Sequence, residues 1–426
     1  MKRFPTNLRE KLRATLHALG PGLVTGAADD DPSGIATYSQ AGAQFGFGLL
    51  WTALLTTPLM IAIQLAAARV GRVTGIGLAG NLRAHYPRPL VLALVALLVV
   101  ANTINITADI AAMGEALQLI AGGGEHGHAL LFGVLLAWLQ VRLPYYRLAE
   151  IFKWLCLSLL AYAGVLLFVN VDWPQALRGL VWPRVEFTVD AWTMVVAVLG
   201  TTISPYLFFW QASQEVEERR RRNSPPLLKA PERAPAALLR IRFDTVSGMV
   251  FSNLIALAIM LAAAVTLNAH GITRIETAAQ AAEALRPIAG EQAFLLFALG
   301  IISTGLLAVP VLAGSAAYAV SEAMGWGGGL AHTWQEARGF YAIVIGCTIA
   351  GTTLDFTPVD PIKALFYSAV INGVISVPIM AMLVLLASNR KALGRFTIDA
   401  PLRWLGWLAT LLMTIAVALM LFAATA

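Results

Sequence analysis

Asp29, Asp30 and Asp31 stand in a row, immediately before Pro32, inside an otherwise apolar stretch. Within a bilayer each ionised carboxylate costs about 3 kcal/mol on insertion scales, so such a cluster needs a positive partner. No Lys or Arg falls in the middle of any apolar run, which leaves a bound metal cation as the natural counter-charge. Successive residues of a helix point about 100° apart, so three adjacent carboxylates can face one ion only if the backbone unwinds. Asp31, next to the proline, is the best-placed ligand. Asp29 and Asp30 either join it, face an aqueous vestibule or cap backbone groups. A second interruption, Thr202-Ile203-Ser204-Pro205-Tyr206, breaks another apolar run in the same manner.

The elements that position these residues follow from composition. Of 426 residues 58% are hydrophobic and 13% charged, which excludes an ordinary soluble enzyme. With roughly 20 apolar residues per crossing, the expectation is an all-α membrane protein of eleven transmembrane helices. They are placed near 19–45, 47–69, 88–119, 127–143, 149–171, 190–213, 242–267, 291–322, 340–356, 361–388 and 402–424. The 30 Lys and Arg test that count. With alternating connectors, all but Arg178, Arg184, Arg274, Arg286 and Lys363 fall on the side of the N-terminus, which makes the N-terminus cytoplasmic and the C-terminus external in a cytoplasmic (inner) membrane. Residues 1–18 read as a cytoplasmic tail, without the small-residue cleavage site of a signal peptide. Residues 214–241, with four consecutive Arg from Arg219 and prolines at 225, 226 and 231, read as a flexible cytoplasmic loop. The interrupted spans are the first and the sixth. Two inverted five-helix repeats place broken helices at corresponding positions, with an ion site at the unwound segments. Residues 19–213 then hold the first repeat and the start of the second, 242–388 hold the rest, and 389–426 hold a loop and an extra helix.

Several function classes are excluded. The net charge of +6 arises from basic residues between apolar runs, where they set topology, so nucleic acid is not a partner. His-Glu-x-x-His, Gly-x-Ser-x-Gly and the phosphate-binding Gly-x-x-x-x-Gly-Lys are all missing, which argues against an enzyme. Cys156 and Cys347 are isolated in apolar segments and read as buried thiols. His17, His85, His126, His128, His270 and His332 fall in tails, connectors or span ends, away from any intramembrane site; the pair His126 and His128 reads as solvated.

The first span, with Gly20-Pro21-Gly22-Leu23, Asp31-Pro32, Ala36-Thr37 and Gln40-Ala41-Gly42-Ala43, resembles that of the Nramp (natural resistance-associated macrophage protein) metal-ion transporters with their Asp-Pro-Gly-Asn motif. The likeness continues through Ala108-Asp109-Ile110-Ala111, Gly200-Thr201-Thr202 to Pro205, and Leu296-Phe297-Ala298-Leu299-Gly300, and so covers most of the chain. It implies a LeuT-type fold and a metal site of Asp31, Asp30, the Thr201 carbonyl, Ser204 and a tenth-span residue, Asn372 or Ser376. Asp29, Ser33, Gly34 and Tyr206 are additional candidates. Asp109 matches the family's third-span acid associated with proton movement; the second acid is replaced by Ala112, for which Glu115 is a possible substitute. The departures bear on substrate. Ser33-Gly34 replaces Gly-Asn, and Ser204-Pro205-Tyr206 replaces Met-Pro-His, so a thioether, an imidazole and an amide are lost. A sulfur ligand favours transition metals, whereas oxygen donors suit hard cations. The chain resembles the divergent Nramp-related branch that includes magnesium transporters. The expected function is transport of divalent cations such as magnesium and manganese by alternating access, with weak or no proton coupling. A proton-coupled manganese or iron importer and an organic-solute symporter of the same fold are the alternatives. The cation is cargo, with no cofactor, and the bilayer is the only other partner, with no obligatory protein.

Overall fold

The structure is a computed structural model that describes residues 25, 26, 28–142, 159–354, 356 and 360–425. The Gly20-Pro21-Gly22-Leu23 stretch, Cys156 and the first part of the fifth span lie outside the described residues.

Among the described residues the helices of six residues or more are α1 (Pro32–Phe45), α2 (Trp51–Thr74), α3 (Leu78–His85), α4 (Arg88–Ala121), α5 (Glu125–Arg142), α6 (Leu160–Val165), α7 (Trp173–Val181), α8 (Val189–Thr202), α9 (Pro205–Arg221), α10 (Ala234–Thr266), α11 (Ala293–Met324), α12 (Arg338–Leu354), α13 (Pro361–Ala387) and α14 (Ala400–Ala423). Among the described residues seven helical stretches are long and apolar enough to cross a membrane, with α8 and α9 counted as one, and α12 is a shorter apolar helix. The chain is thus an all-helical integral membrane protein.

Both expected breaks are present. Ala28 and Asp29 are helical, Asp30 bends, and helix resumes at Pro32. Asp31 is extended (φ −71°, ψ 171°) and its side chain caps α1, with Pro32 at the first turn, where its missing N–H costs nothing. Likewise α8 ends at Thr202 and α9 starts at Pro205 after extended Ser204. A proline removes the N–H that would bond the carbonyl four residues earlier. Pro32 therefore frees the carbonyl of Ala28, and Pro205 frees that of Thr201.

Small residues bring the broken spans against their neighbours. A Cβ on Gly26 would lie 2.4 Å from the Gly248 carbonyl oxygen of α10, and one on Gly42 would lie 2.2 Å from that of Met260. The sixth span packs reciprocally: Gly71 of α2 abuts the carbonyl of Ala212, and Gly200 abuts Ala369 and Gly373 of α13. The two broken spans cross in opposite directions, since Ala28 meets Tyr206 while Gly34 meets Thr201.

The segment expected to be a flexible loop is instead docked. Helix α9 runs on to Arg221, and the backbone N–H groups of Leu227 and Leu228 donate to the carbonyls of Arg72 and Val73 at the end of α2. Arg72 returns bonds to the Pro225 carbonyl (3.2 Å) and Ser224 Oγ (3.0 Å). Leu227 is wholly buried, and burial of an apolar side chain, worth about 2 kcal/mol, adds to these bonds in holding the segment. At the opposite end of the bundle the connector after α10 laces over the helix ends. Gln40 Nε2 donates to the Thr273 carbonyl and its Oε1 accepts from Ile275 N–H. Asn268 donates to Ala43, and Glu115 accepts from Ala278 N–H.

Candidate metal-ion site

Asp31 is 2% exposed. Its Oδ1 accepts from Ser33 Oγ (2.7 Å) and Gly34 N–H (2.8 Å), and its Oδ2 accepts from Asn105 Nδ2 (3.0 Å). An ionised carboxylate offers about four acceptor positions, so Oδ2 keeps a further one beyond that amide. Ser33 and Gly34 hold the carboxylate as parts of the helix cap. Its charge also gains from the partly positive N-terminus of α1, an effect of about 0.3–1 kcal/mol.

Asn105 has no place in the motifs that mark the site in the sequence. It lies on α4 one turn before Asp109, and its amide bridges Asp31 and Asp109 Oδ2 (3.3 Å). Its Oδ1 accepts from Asn372 Nδ2 of α13 at 3.3 Å. Asp31, Asn105, Asp109 and Asn372 thus form one buried polar junction, in which Asp109 Oδ1 and Asn372 Oδ1 have no hydrogen-bond partner among the described residues. The signal in the sequence was the spacing: Asn105 and Asp109 are four apart and share a helix face.

At the second break the Ser204 hydroxyl turns back into the chain, 2.8 Å from each of the Gly200 and Thr201 carbonyls. The Thr201 carbonyl keeps its second lone pair. Gly34 lets α1 lie close to α8 here, since a Cβ there would stand 3.2 Å from Thr201 Oγ1. Tyr206 donates to the freed carbonyl of Ala28 (2.9 Å), a contact that the spacing of the two breaks does not announce. Tyr38 Oη and Thr202 Oγ1 add a 3.0 Å bond between α1 and α8. Ser376 donates to the Ile203 carbonyl (2.9 Å), which occupies its proton in satisfying the break.

The three aspartates do not converge. Asp29 Oδ2 (2.7 Å) and Asp30 Oδ1 (3.2 Å) both face Ser252 Oγ on α10, on a different partner helix from Asp31. Both are 1% exposed, so neither faces a vestibule. The turn at Asp30 and Asp31 sends the last two carboxylates to different neighbours. Among the described residues no three Asp, Glu, His or Cys side chains gather as a metal cluster. The carboxylates beside Asn105 are those of Asp31 and Asp109, so the oxygen donors of this junction are carboxylate and amide groups without sulfur or imidazole. Glu115 lies six residues beyond Asp109 on unbroken α4, about 9 Å along the axis, and binds the connector instead.

A separate cavity of about 490 Å³ lies at the end of the bundle that bears the docked segment, among Gly77, Arg83, Ser213, Glu217, Tyr318 and Glu322. Glu322 accepts there from Gly80 N–H (3.0 Å) and Ser213 Oγ (3.3 Å).

Residues 22–423 match the family model for natural resistance-associated macrophage protein-like (Nramp) proteins. The chain is 30% identical over 307 residues to the divalent metal cation transporter MntH of Klebsiella pneumoniae (strain 342), covering 70% of each. Its identity to MntH of Yersinia enterocolitica is 31% over 304 residues, covering 70% of this chain and 71% of that one. The fold is that of the Eremococcus coleocola manganese transporter, with a TM-score of 0.72 at 16% identity over 97% of this chain and 87% of that one. It is also similar to Mhp1, a nucleobase-cation-symport-1 family transporter, with a TM-score of 0.55 at 13% identity over 96% of this chain and 91% of that one. The match over nearly the whole length, with the cap at Asp31 and the paired breaks at Pro32 and Pro205, establishes that the chain belongs to the Nramp family.

Proposed function

We propose that this protein carries divalent metal cations across the cytoplasmic membrane by alternating access, with a preference for hard ions such as magnesium and manganese and with little or no obligatory proton flux. The observation that carries this is the setting of Asp31: a buried carboxylate joined through Asn105 to Asn372, in a chain whose second break frees the Thr201 carbonyl, with Ser204 and Tyr206 supplying neither sulfur nor imidazole. Oxygen donors suit cations that dehydrate reluctantly. Asp31 is the central ligand and the Thr201 carbonyl and Asn372 complete the shell. Asp30 and Asp29 shape the local charge from the Ser252 side. The family relatives named as divalent metal cation transporters support the substrate class.

The eleven-span, two-repeat organisation, with the N-terminus cytoplasmic and the C-terminus external, is part of the same proposal. The opposed crossing of the broken spans and their reciprocal packing support it. One observation favours the proton-coupled alternative: the Asn105 amide links Asp109 directly to Asp31. Uptake into liposomes of magnesium, manganese, calcium and iron(II), with internal pH recorded, decides between the two. Uptake of magnesium and manganese without matching acidification is expected. A proton flux in step with the metal would replace the uncoupled reading by the coupled one.

A further inference from the structure

We propose that Asn105 is itself a ligand of the transported cation and that its side-chain amide turns over as the ion enters, changing from donor to acceptor. This rests on the assignment of Asp31 as the central ligand. Asn105 Nδ2 stands between Asp31 Oδ2 (3.0 Å) and Asp109 Oδ2 (3.3 Å). Its two protons occupy the place between two carboxylate oxygens that a cation would take. On the other side its oxygen accepts from Asn372, while the oxygen of Asn372, a residue 1% exposed, has no hydrogen-bond partner among the described residues.

Asparagine χ2 is a broad, roughly two-fold torsion, so half a turn exchanges Oδ1 and Nδ2 with little movement of the chain. Turned over, Asn105 presents Oδ1 beside Asp31 Oδ2 and Asp109 Oδ2, and its Nδ2 faces Asn372. A matching turn of Asn372 brings the unpartnered oxygen round to accept from Asn105. Without an ion the turned arrangement sets three oxygens together and is repulsive. With a divalent cation it becomes a hard, all-oxygen group. The two amides therefore form a pair whose orientation follows occupancy, and the Asn372 oxygen accepts from Asn105 with one lone pair only in the loaded state, its other lone pair remaining for the ion.

Manganese binding to the full-length protein in detergent, measured by calorimetry, tests this alongside infrared difference spectra of protein isotope-labelled at asparagine. Asn105→Ala should weaken manganese binding about tenfold, whereas Asn105→Asp, which keeps an oxygen but no donor, should stay within about threefold of wild type. An asparagine carbonyl band should shift on adding manganese and should be lost in Asn105→Ala. Wild-type affinity in Asn105→Ala, or equal failure of Asn105→Asp and Asn105→Ala in folded protein, would leave Asn105 as a mere donor to Asp31 and overturn the proposal. If Asn105→Ala does not fold, the wild-type spectrum decides, since an unmoved asparagine band overturns it equally. Asp31→Ala separates the two levels: intact binding there removes the site itself, while lost binding with an indifferent Asn105 removes only the turnover.

Discussion

Asp31 serves two masters, capping a helix and keeping one acceptor position open. Asp31→Ala removes both, with a capping loss of about 0.5–2 kcal/mol set against relief of a buried charge. We expect a folded protein, with thermal midpoint within a few degrees of wild type, and no cation uptake. Normal uptake in liposomes would exclude the carboxylate from the path. Ser204→Met replaces a hydroxyl that bonds the Thr201 and Gly200 carbonyls by a soft sulfur. Competition assays should then show preference moving towards cadmium and iron(II) and away from magnesium; an unmoved preference would place position 204 away from the ion. Asp31 was legible in the sequence because an acid before proline in an apolar run is too costly to stand there without a counter-charge. Asn105 and Ser252 were not, since a lone amide or hydroxyl in a membrane helix is ordinarily an interhelical contact, and their partners lie far away in the chain.

At the scale of the element, the two breaks follow from where proline removes a donor, and both freed carbonyls find a hydroxyl: Ala28 from Tyr206 and Thr201 from Ser204. The positions of the breaks were therefore readable, and their geometry was not. Nothing in Asp29-Asp30-Asp31 states that the turn sends two side chains to α10 and one to α4. The first half of span one is held to α10 at a point without room for a methyl group, so Gly26→Ala, with its Cβ 2.4 Å from a carbonyl oxygen, should destabilise by about 1–3 kcal/mol and slow uptake. Gly346→Ala, where nothing lies within 4 Å, is the control and should change neither. Equal thermal midpoints for the two variants would mean that this crossing is loose.

For the whole molecule, hydropathy read the helical membrane class but misjudged the docked segment. A run of Arg and Pro reads as solvated loop, yet Arg72 and Leu227 fasten it to α2, and no local pattern announces a partner more than a hundred residues away. The charge asymmetry gives a direct test of orientation: tags on intact cells should be reachable from outside at the C-terminus and protected at the N-terminus, and the reverse result would invert every connector. The lacing at the end opposite the docked segment has a kinetic meaning of its own. Ile275 and Ala278 give their amide protons to the side chains of Gln40 and Glu115, which belong to α1 and α4. If that end parts from the connector during the transport cycle, these two protons become exposed to solvent only while it stands open. Their rate of exchange with deuterium would then count openings, a clock built into the backbone that needs no added label. Adding manganese at saturating concentration should change that rate at both positions together, and independent responses would mean that the connector frays without the helices moving.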